Sequence, residues 1–330
     1  MHALVMTEPS PGPDRSEVRE LPDPHPADGQ VSIDVAYAGI NFIDVMARRG
    51  DPGYATSWPY VPGLEVAGTI RETGRGVTGL SAGQRVAAFT RGGGLAEVAL
   101  ADAALVASLP SEVALSAAAA APLALSTALL LLADVARLRP GERVLMHSAS
   151  GGLGGAAAQV VAALGGGVRI GTVGRPDKVS DGQRSGWDVT LVRDGGLAQA
   201  IREAAGGGVD VILDPSGTDL LEVDLEVAAP GARIVLFGNP GGGQPAALPA
   251  LGRLIAGNVA IAGFSMSRLS VTAPAKVAAA LGRGLTLLAA GKLDLAVTEI
   301  GSLGQVPAAH QLLAEGRGRG KYVAALTVPG

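Results

Sequence analysis

The chain of 330 residues contains no cysteine. It therefore has no disulfide framework and no thiolate ligand for a metal, so neither secretion nor cysteine-based zinc binding gains support. It also lacks a basic excess, because 26 Lys and Arg stand against 30 Asp and Glu for a net charge of −4. Nucleic-acid binding needs a basic stripe, and the basic residues here are scattered. We expect no nucleic-acid partner.

Signals for export or membrane insertion are also missing. The first residues, MHALVMTEPSPGPDR, have a short apolar run that Pro and charges follow at once, without the basic start and apolar core of a signal peptide. The apolar segment Val113–Ala136 is mostly Ala and contains Pro122 and Asp134. We interpret it as two buried helical pieces and not as a membrane span. A cytoplasmic protein without a membrane partner is expected.

Short strand-like runs, punctuated by Pro and Gly, occupy residues 1 to about 110. This pattern predicts a small antiparallel β domain. Between two of these runs, the apolar positions of Gly39–Arg49 fit a short helix. The predicted strands are Ala3–Met6, Gln30–Ala38, Val66–Glu72, Gln84–Phe89 and Leu95–Leu100.

Helical periodicity begins at Ser111. It predicts helices over Ser111–Ala121 and Ser126–Leu138, which Pro122 separates, with Ser111 as N-cap and Pro140-Gly141 as a stop. Strands and helices then alternate, which predicts βαβ units and a parallel sheet. The predicted elements are strands Val144–His147, Val168–Val173, Val189–Val192, Val209–Leu213, Ala232–Phe237 and Val259–Ala262, helices Gly154–Leu164, Leu197–Ala205, Leu220–Ala228 and Ala273–Ala290, and a closing run Tyr322–Val328.

The segment Ala149–Gly154 reads A-S-G-G-L-G between an apolar run and an Ala-rich helical segment. Small residues permit a tight turn, Gly151 lets the backbone approach a pyrophosphate, and Gly154 lets the helix pack closely on the strand. The helix N-terminus supplies free N–H groups to phosphates. In a chain with 49 glycines the motif alone is weak, but the flanking strand and helix favour a dinucleotide site over a turn without a ligand.

The next predicted strand ends IGTVGR, residues 170–175, with no acid at its tip. A unit that binds NAD usually carries Asp or Glu there, about 20 residues after the glycines. Here Arg175 and Lys178 follow, and cations would meet a 2′-phosphate. This favours NADPH, although Asp177 lies between the two cations and both could be ordinary solvated loop residues.

Several segments together resemble a known family, in order and over nearly the whole chain: GINFIDVMARRG, PYVPGLEVAGTI, the A-x-G-G-L-G turn, IGTVGRPDKV, DPSGTD, GARIVLFGNPGG and AHQLLAEGRGRGKYVAAL. The family is the zinc-independent quinone oxidoreductases, the ζ-crystallin group of the medium-chain dehydrogenase/reductase superfamily. The resemblance implies an α/β fold, with a doubly wound Rossmann sheet, a GroES-like β-rich catalytic domain and an active site in the cleft between them. The implied domains are residues 1–124, completed by 266–330, and an NADPH-binding domain at 125–265. A homodimer paired near Val259–Ala262 is also implied.

The resemblance further assigns roles to single residues. Asn41 would lie near the nicotinamide and substrate, Asp44 would support its loop, and Thr127 would lie near the nicotinamide. It places Ser150, Gly152 and Leu153 at the pyrophosphate, Thr172, Gly174 and Lys178 at the adenosine phosphate end, and Phe237, Gly238 and Asn239 at the nicotinamide ribose and amide. Gly151, Gly154 and Arg175, which the motifs above indicate, complete the expected cofactor site.

The sequence departs from the family pattern in two places. Val192, followed by Arg193, stands where members often carry a Tyr near the 2′-phosphate, so fewer groups support the preference for NADPH. In the substrate loop, none of Tyr54, Trp58 and Tyr60 aligns clearly with the aromatic residue of the family. The sequence therefore leaves the substrate open.

No metal site is expected. The chain lacks Cys, and the segment where a ligand His would be expected in zinc-dependent relatives reads Gly63-Leu64-Glu65. Without a Lewis acid to stabilise an alkoxide, alcohol oxidation is disfavoured, and hydride addition to an electron-poor acceptor is easier. His147 is expected to pack or hydrogen-bond beside the cofactor loop.

The expected activity is NADPH-dependent, metal-independent hydride transfer to a quinone or a conjugated enone or enal. Asn41 or a bound water would polarise the acceptor oxygen. Two alternatives stay open. One is a biosynthetic enoyl or enone reductase with a dedicated substrate, and the other is an NADPH-binding protein with a sensing or structural role.

Overall fold

The computed structural model describes residues 1–55 and 57–326. By its internal contacts the chain divides into two compact units. The first unit comprises Met1–Ser126 and Met266–Gly330, and the second unit comprises Thr127–Ser265. Of the predicted closing run Tyr322–Val328, residues 327 and 328 lie outside the described residues, and the described strand is Lys321–Ala325.

The strands, numbered along the described residues, are β1 (His2–Met6), β2 (Ser16–Glu20), β3 (Gln30–Ile40), β4 (Glu65–Thr73), β5 (Arg85–Phe89), β6 (Val98–Asp102), β7 (Val106–Ser108), β8 (Val144–His147), β9 (Arg169–Val173), β10 (Val189–Val192), β11 (Val209–Asp214), β12 (Ala228–Leu236), β13 (Ala260–Gly263), β14 (Val297–Ile300) and β15 (Lys321–Ala325).

The α-helices of the same residues are α1 (Phe42–Arg49), α2 (Leu115–Ala118), α3 (Ser126–Leu129), α4 (Gly152–Ala163), α5 (Val179–Arg184), α6 (Leu197–Ala205), α7 (Leu221–Val227), α8 (Leu251–Gly257), α9 (Met266–Thr272), α10 (Pro274–Ala289) and α11 (Val306–Ala314).

The first unit is built on a mostly antiparallel sheet. Among the described residues its strand order is β14-β15-β3-β4-β5-β7, with β6 also paired to β3. Only the β14–β15 pair in this sheet is parallel. Side chains from several strands, such as Leu4, Ile33 and Ile70, are fully or almost fully buried in one apolar cluster. The predicted antiparallel β domain is confirmed, and burial of this apolar face stabilises it.

The apolar segment after Ser111 differs from its prediction. The first helix begins at Leu115 with Ala114 at the N-cap, so Ser111 is not the cap. Pro122 does not separate two helices, because it lies inside a π-helical segment, Ala121–Leu125. Pro has no N–H to leave unpaired, and the N–H of the next residue, Leu123, donates to Oε2 of Glu65 over 2.7 Å.

A second π-helical segment, Leu130–Val135, closes this run, so the helical structure ends three residues before the predicted Leu138. Arg137 then takes the left-handed conformation, with φ of 51°. Throughout residues 1–55 and 57–326, we find no helix that combines the length and apolar character of a membrane span.

The second unit contains a parallel six-stranded sheet in the order β10-β9-β8-β11-β12-β13. Counted along the unit, this is the order 3-2-1-4-5-6 of a doubly wound dinucleotide-binding sheet. Its apolar cluster joins the fully buried Leu145, Ile170 and Ile212 of three strands to Ile201 of α6. Because the order reverses between β8 and β11, a ligand is expected beyond the carboxyl ends of these strands. The predicted α/β fold class is confirmed.

Candidate functional site

The glycine turn joins β8 to α4 at the carboxyl edge of the parallel sheet. Ser148 begins it in the left-handed region, with φ of 62°. A Cβ atom at Gly154 would lie 2.4 Å from the backbone oxygen of Ala149, so a side chain there would force the helix away from the turn. At Gly151 a Cβ atom would meet only the oxygen of Ser148, at 3.5 Å. Packing within the chain requires glycine at 154, whereas at 151 it leaves room for a ligand to approach.

Gly151 is the N-cap residue of α4, and Gly152 and Leu153 open the helix. No side chain of the described residues caps this end. The first N–H groups of a helix lack partners within the helix, so they are available to an anion together with the positive end of the helix dipole. Ser150, the residue before the N-cap, is almost fully buried in the turn. This geometry suits a pyrophosphate.

The residues predicted for the adenosine phosphate end differ in their exposure and in their hydrogen bonds. Gly174 follows β9 directly, and Arg175 pairs with Asp177 over 3.0 Å, with each side chain 49% exposed. Lys178 ends a short 3-10 turn and is mostly buried. The hydroxyl of Thr172 lies 2.7 Å from Nδ1 of His147 inside the unit, so that oxygen is already engaged.

His147 lies at the end of β8 in a fully buried polar cluster. Its Nε2 atom lies 2.8 Å from Oδ1 of Asp224. The third member of the cluster is Asp214, whose Oδ1 accepts the backbone N–H of Ser216 over 2.7 Å. Burial lowers the pKa of His147 to about 4 and raises the pKa of Asp224 to about 7. Burial, with Asp224 close by, raises the pKa of Asp214 to about 6. The expectation that His147 packs or bonds beside the turn agrees with these contacts.

Phe237, Gly238 and Asn239 leave the end of β12 beside the end of β11. The N–H of Phe237 donates to the backbone oxygen of Asp214 over 3.1 Å. A Cβ atom at Gly238 would lie 2.5 Å from the oxygen of Pro215, so glycine is required for this approach. Asn239 donates from Nδ2 to the oxygen of Gly243 over 2.9 Å. These residues share the carboxyl edge of the sheet with the glycine turn.

Thr127 opens the second unit and has an orphaned hydroxyl. The residue is 5% exposed, and its Oγ1 atom is buried without a hydrogen-bond partner among the described residues. A buried hydroxyl of this kind is costly unless something bonds to it. An added polar ligand would satisfy it, which fits the expected neighbourhood of a nicotinamide amide.

In the first unit, Asn41 precedes α1 and its side chain is held at both ends. Lys321 donates from Nζ to Oδ1 over 2.6 Å, while Nδ2 donates to Oε1 of Glu65 over 3.0 Å and to the oxygen of Gly39 over 3.3 Å. Both N–H directions of the amide are therefore used within the unit. Asn41 could polarise an acceptor oxygen only by giving up one of these bonds, whereas the other option, a bound water, needs no such change.

Glu65 and Lys321 were not predicted as site residues. Glu65 is fully buried and Lys321 is 6% exposed, and the two form a salt bridge. Lys321 also donates to the oxygen of Ile40 over 2.9 Å, so its three N–H groups have three acceptors. Gly39 makes room for this arrangement, because a Cβ atom there would lie 2.3 Å from Oε1 of Glu65. The available signal was a lone acid opening an apolar strand and a lone Lys opening another.

Asp44 connects the start of α1 to a neighbouring loop. Its Oδ2 accepts the N–H of Asn41 over 2.8 Å, and its Oδ1 accepts the N–H of Gly63 over 3.2 Å. These two bonds hold the backbone around Asn41, and the supporting role of Asp44 in the active site stays a prediction. Burial, with Asp44 nearby, raises the pKa of Tyr60 to about 12, so this phenol is a hydrogen-bond donor at neutral pH.

The other loop aromatics are also placed. The ring of Trp58 meets that of Tyr60 edge to face, with centroids 6.4 Å apart, and Tyr54 is half-buried. Within the described part of the chain, no group of three or more His, Asp or Glu side chains is arranged to hold a metal ion.

Comparison with known proteins agrees with this fold. Residues 27–111 match the alcohol dehydrogenase GroES-like domain family, and residues 152–282 match the zinc-binding dehydrogenase family. The chain is 34% identical over 312 residues to the spectinabilin polyketide synthase system protein NorB of Streptomyces orinoci. That match covers 92% of this chain but 13% of the relative, so the chain spans a small part of that protein's length.

Two solved structures are similar over almost their whole length. A mycobacterial quinone oxidoreductase is 30% identical, with 98% of this chain and 99% of that chain covered and a TM-score of 0.86. The Escherichia coli quinone oxidoreductase in complex with NADPH is 27% identical, with 98% and 100% covered and a TM-score of 0.88. The fold and site thus define an oxidoreductase of the medium-chain dehydrogenase/reductase superfamily. Within it, the chain belongs to the quinone oxidoreductase group, as the sequence resemblance predicts.

Proposed function

We propose that this protein is an NADPH-dependent reductase of quinones or of conjugated enones and enals, and that it works without a metal ion. The observation that carries the proposal is the glycine turn at the start of α4, in a chain similar throughout to a quinone oxidoreductase solved with NADPH. When bound, NADPH supplies the hydride. The absence of Cys supports metal independence.

The described residues fit such a cofactor. Room at Gly151 and the uncapped start of α4 suit the pyrophosphate, and the orphaned hydroxyl of Thr127 suits a polar group of the nicotinamide end. Gly152, Leu153 and Ser150 would line the pyrophosphate with these groups. Phe237, Gly238 and Asn239 would line the ribose and amide. The hydroxyl of Thr172 is engaged with Nδ1 of His147. Thr172 would therefore contribute to the cofactor site through His147 and not through a direct contact of its hydroxyl.

Asn41 and Asp44 are proposed for the acceptor side. Asp44 would hold the backbone around Asn41, and Asn41 would orient the acceptor directly or through a water that polarises its oxygen. We also propose a homodimer formed through the β13 edge of the parallel sheet. Light scattering at micromolar concentration tests the dimer.

A second candidate is reduction of an enoyl thioester during polyketide assembly. The similarity to a polyketide synthase system protein favours it. An acceptor panel separates the two. Consumption of NADPH and NADH is followed at 340 nm with quinones, enones, enals and enoyl thioesters. Fast turnover of quinones or enones supports the first function, and fast turnover of enoyl thioesters with slow turnover of quinones supports the second. Inertness toward every acceptor would leave only a binding role.

A further inference from the structure

Arg193 follows β10 directly and lies beside the end of β9. Its backbone N–H donates to the oxygen of Val173 over 2.9 Å, which places Arg193 level with Gly174 on the neighbouring strand. A Cβ atom built on Gly174 would lie 2.7 Å from Nη2 of Arg193. The guanidinium group therefore fills the space in which a side chain at position 174 would begin.

In this type of fold, the residue at the position of Gly174 helps to distinguish NAD from NADP. Gly174 follows Gly154, the last glycine of the turn, by 20 residues. An NAD-binding unit carries an acid about this far along, at the tip of its second strand, to hold the ribose hydroxyls. In this chain a cation from the third strand occupies that place. A guanidinium group binds phosphate through two parallel N–H bonds and does not suit a site that needs a carboxylate.

Arg193 also has unused binding capacity. Its side chain forms no hydrogen bond or salt bridge with the residues that the structure describes, whereas Arg175 is paired with Asp177. Burial lowers the pKa of Arg193, and the charge of Asp214, beyond salt-bridge distance, opposes this effect only in part. A half-buried guanidinium without a paired anion is costly, and a bound anion would offset that cost.

We propose that Arg193 binds the 2′-phosphate of NADPH and that this residue, more than Arg175, sets the preference for NADPH over NADH. The inference rests on the proposed NADPH-binding function. It revises the expectation that Val192 leaves the preference with fewer supporting groups, because the next residue supplies a cation at the strand tip.

Isothermal titration calorimetry with 2′,5′-ADP and 5′-AMP tests the proposal without turnover. In R193Q the Kd for 2′,5′-ADP is expected to rise about 10- to 100-fold, since a charge-assisted bidentate contact is lost, while the Kd for 5′-AMP changes less than about twofold. R193K is expected to lie between wild type and R193Q. The ratio of Kd for NADH to Kd for NADPH should fall in parallel.

Matched variants locate the effect. R202Q, in α6, is the control outside the cofactor site and is expected to change the Kd for 2′,5′-ADP less than about threefold. R175Q, which removes a cation paired with Asp177, is expected to raise this Kd less than R193Q does. G174A would crowd Nη2 and is expected to weaken 2′,5′-ADP but not 5′-AMP. An unchanged preference in both R193Q and G174A overturns the role of Arg193. A wild-type protein that binds neither 2′,5′-ADP nor NADPH overturns the proposed function itself, and this inference with it.

Discussion

Lys321 donates a hydrogen bond from Nζ to Oδ1 of Asn41 over 2.6 Å and thereby fixes which way the Asn41 amide points. Glu65 completes the arrangement by accepting from Nδ2 of the same amide over 3.0 Å. Lys321 also neutralises Glu65, whose side chain is fully buried. The orientation of a proposed acceptor-side residue thus depends on a buried ion pair that the sequence alone does not display.

Replacing Lys321 by Met is expected to destabilise the protein strongly. Truncating one partner of a buried ion pair leaves the other charge uncompensated, and this typically reduces the free energy of unfolding by about 3–5 kcal/mol. Urea unfolding measures the change. K292M, which removes an exposed Lys of the same unit, serves as control and is expected to stay within about 0.5 kcal/mol of wild type. Equal stability of the two variants would show that Glu65 does not depend on Lys321.

Gly154 and Gly155 offer a matched pair of substitutions in α4. A Cβ at Gly154 would press on the backbone of Ala149, whose oxygen accepts the indole N–H of Trp187 over 3.2 Å. G154A is therefore expected to lower stability by about 1–3 kcal/mol and to weaken NADPH binding. At Gly155 the nearest atoms would lie 3.7 Å away, so G155A should be neutral or stabilise by up to about 1 kcal/mol.

Thermal unfolding and the Kd for NADPH check this pair. Both substitutions add the same methyl group to adjacent helical positions, so helix propensity cannot explain a difference between them. If G154A and G155A behave alike, close packing of α4 on the turn is not what position 154 requires.

The elements that the sequence predicts well are those with a clear local pattern of residues. Apolar runs bounded by Gly and Pro located β3, β4 and β8 closely, and the glycine turn was visible because its residues are consecutive. Two exposed elements were missed: β2 is almost wholly exposed and has one apolar residue, Val18, and α8 has no buried residue although it is rich in Leu and Ile. The sequence of β2 therefore shows no alternation of apolar residues, and the helical spacing of Leu251, Leu254 and Ile255 in α8 extends over seven residues, which is shorter than the window such a prediction needs.

The missed site residues have a different cause. Arg193 lies beside Gly174 only because β10 pairs with β9 in a particular register. Lys321 reaches Asn41 only because β15 pairs with β3. Pairing between distant strands is set by the whole sheet, so the spacing of residues along the chain does not reveal it. Pro122 was misread for a related reason, since a distant carboxylate pairs the N–H of the residue after it.

Removal of metal ions is expected to leave activity unchanged. The chain has no Cys, and the described residues contain no cluster of three or more His, Asp or Glu that could hold a metal. Dialysis against EDTA, followed by the NADPH assay with the best acceptor, should retain the initial rate within about 20%, and added Zn²⁺ should not raise it. A loss that Zn²⁺ restores would contradict the proposed metal independence.

Two variants of Arg48 can separate the contribution of side-chain packing to stability from the contribution of the charge. It is fully buried in α1, its Nη2 donates to the oxygen of Pro11 over 2.8 Å, and its Nε and Nη1 atoms find no partner among the described residues. Burial lowers the pKa of Arg48, and the neighbouring charge of Arg49 lowers it further. R48M keeps most of the volume and removes the charge, so stability is expected to change by less than about 1.5 kcal/mol.

R48A leaves a cavity as well, so its free energy of unfolding is expected to fall by about 2–4 kcal/mol. Guanidinium chloride unfolding of both variants makes the comparison. Equal and large losses in R48M and R48A would mean that the charge itself is required, through an anion that the hydrogen bonds to Pro11 and Gln311 do not account for.

Asp224 is expected to make stability depend on pH in a direction opposite to that of an ordinary salt-bridged acid. Burial raises its pKa from 3.8 to about 7, so between pH 4 and 7 the unfolded chain releases this proton while the folded protein keeps it. The contribution of Asp224 to stability is present at pH 4 and is lost as the pH rises through 7. His147, with its pKa lowered to about 4, acts in the opposite sense, because the unfolded chain gains a proton below pH 6.5.

D224N removes the first effect and keeps an oxygen that can accept a hydrogen bond from Nε2 of His147. The stability of D224N relative to wild type is therefore expected to rise by about 1–4 kcal/mol between pH 4.5 and 8, as urea unfolding across that range would show. D219N, at an exposed position of the same unit, should show no such trend. If the stability difference between D224N and wild type is flat or falls with pH, Asp224 is already ionised at the lower end of the range, and its cluster with His147 is an ion pair throughout.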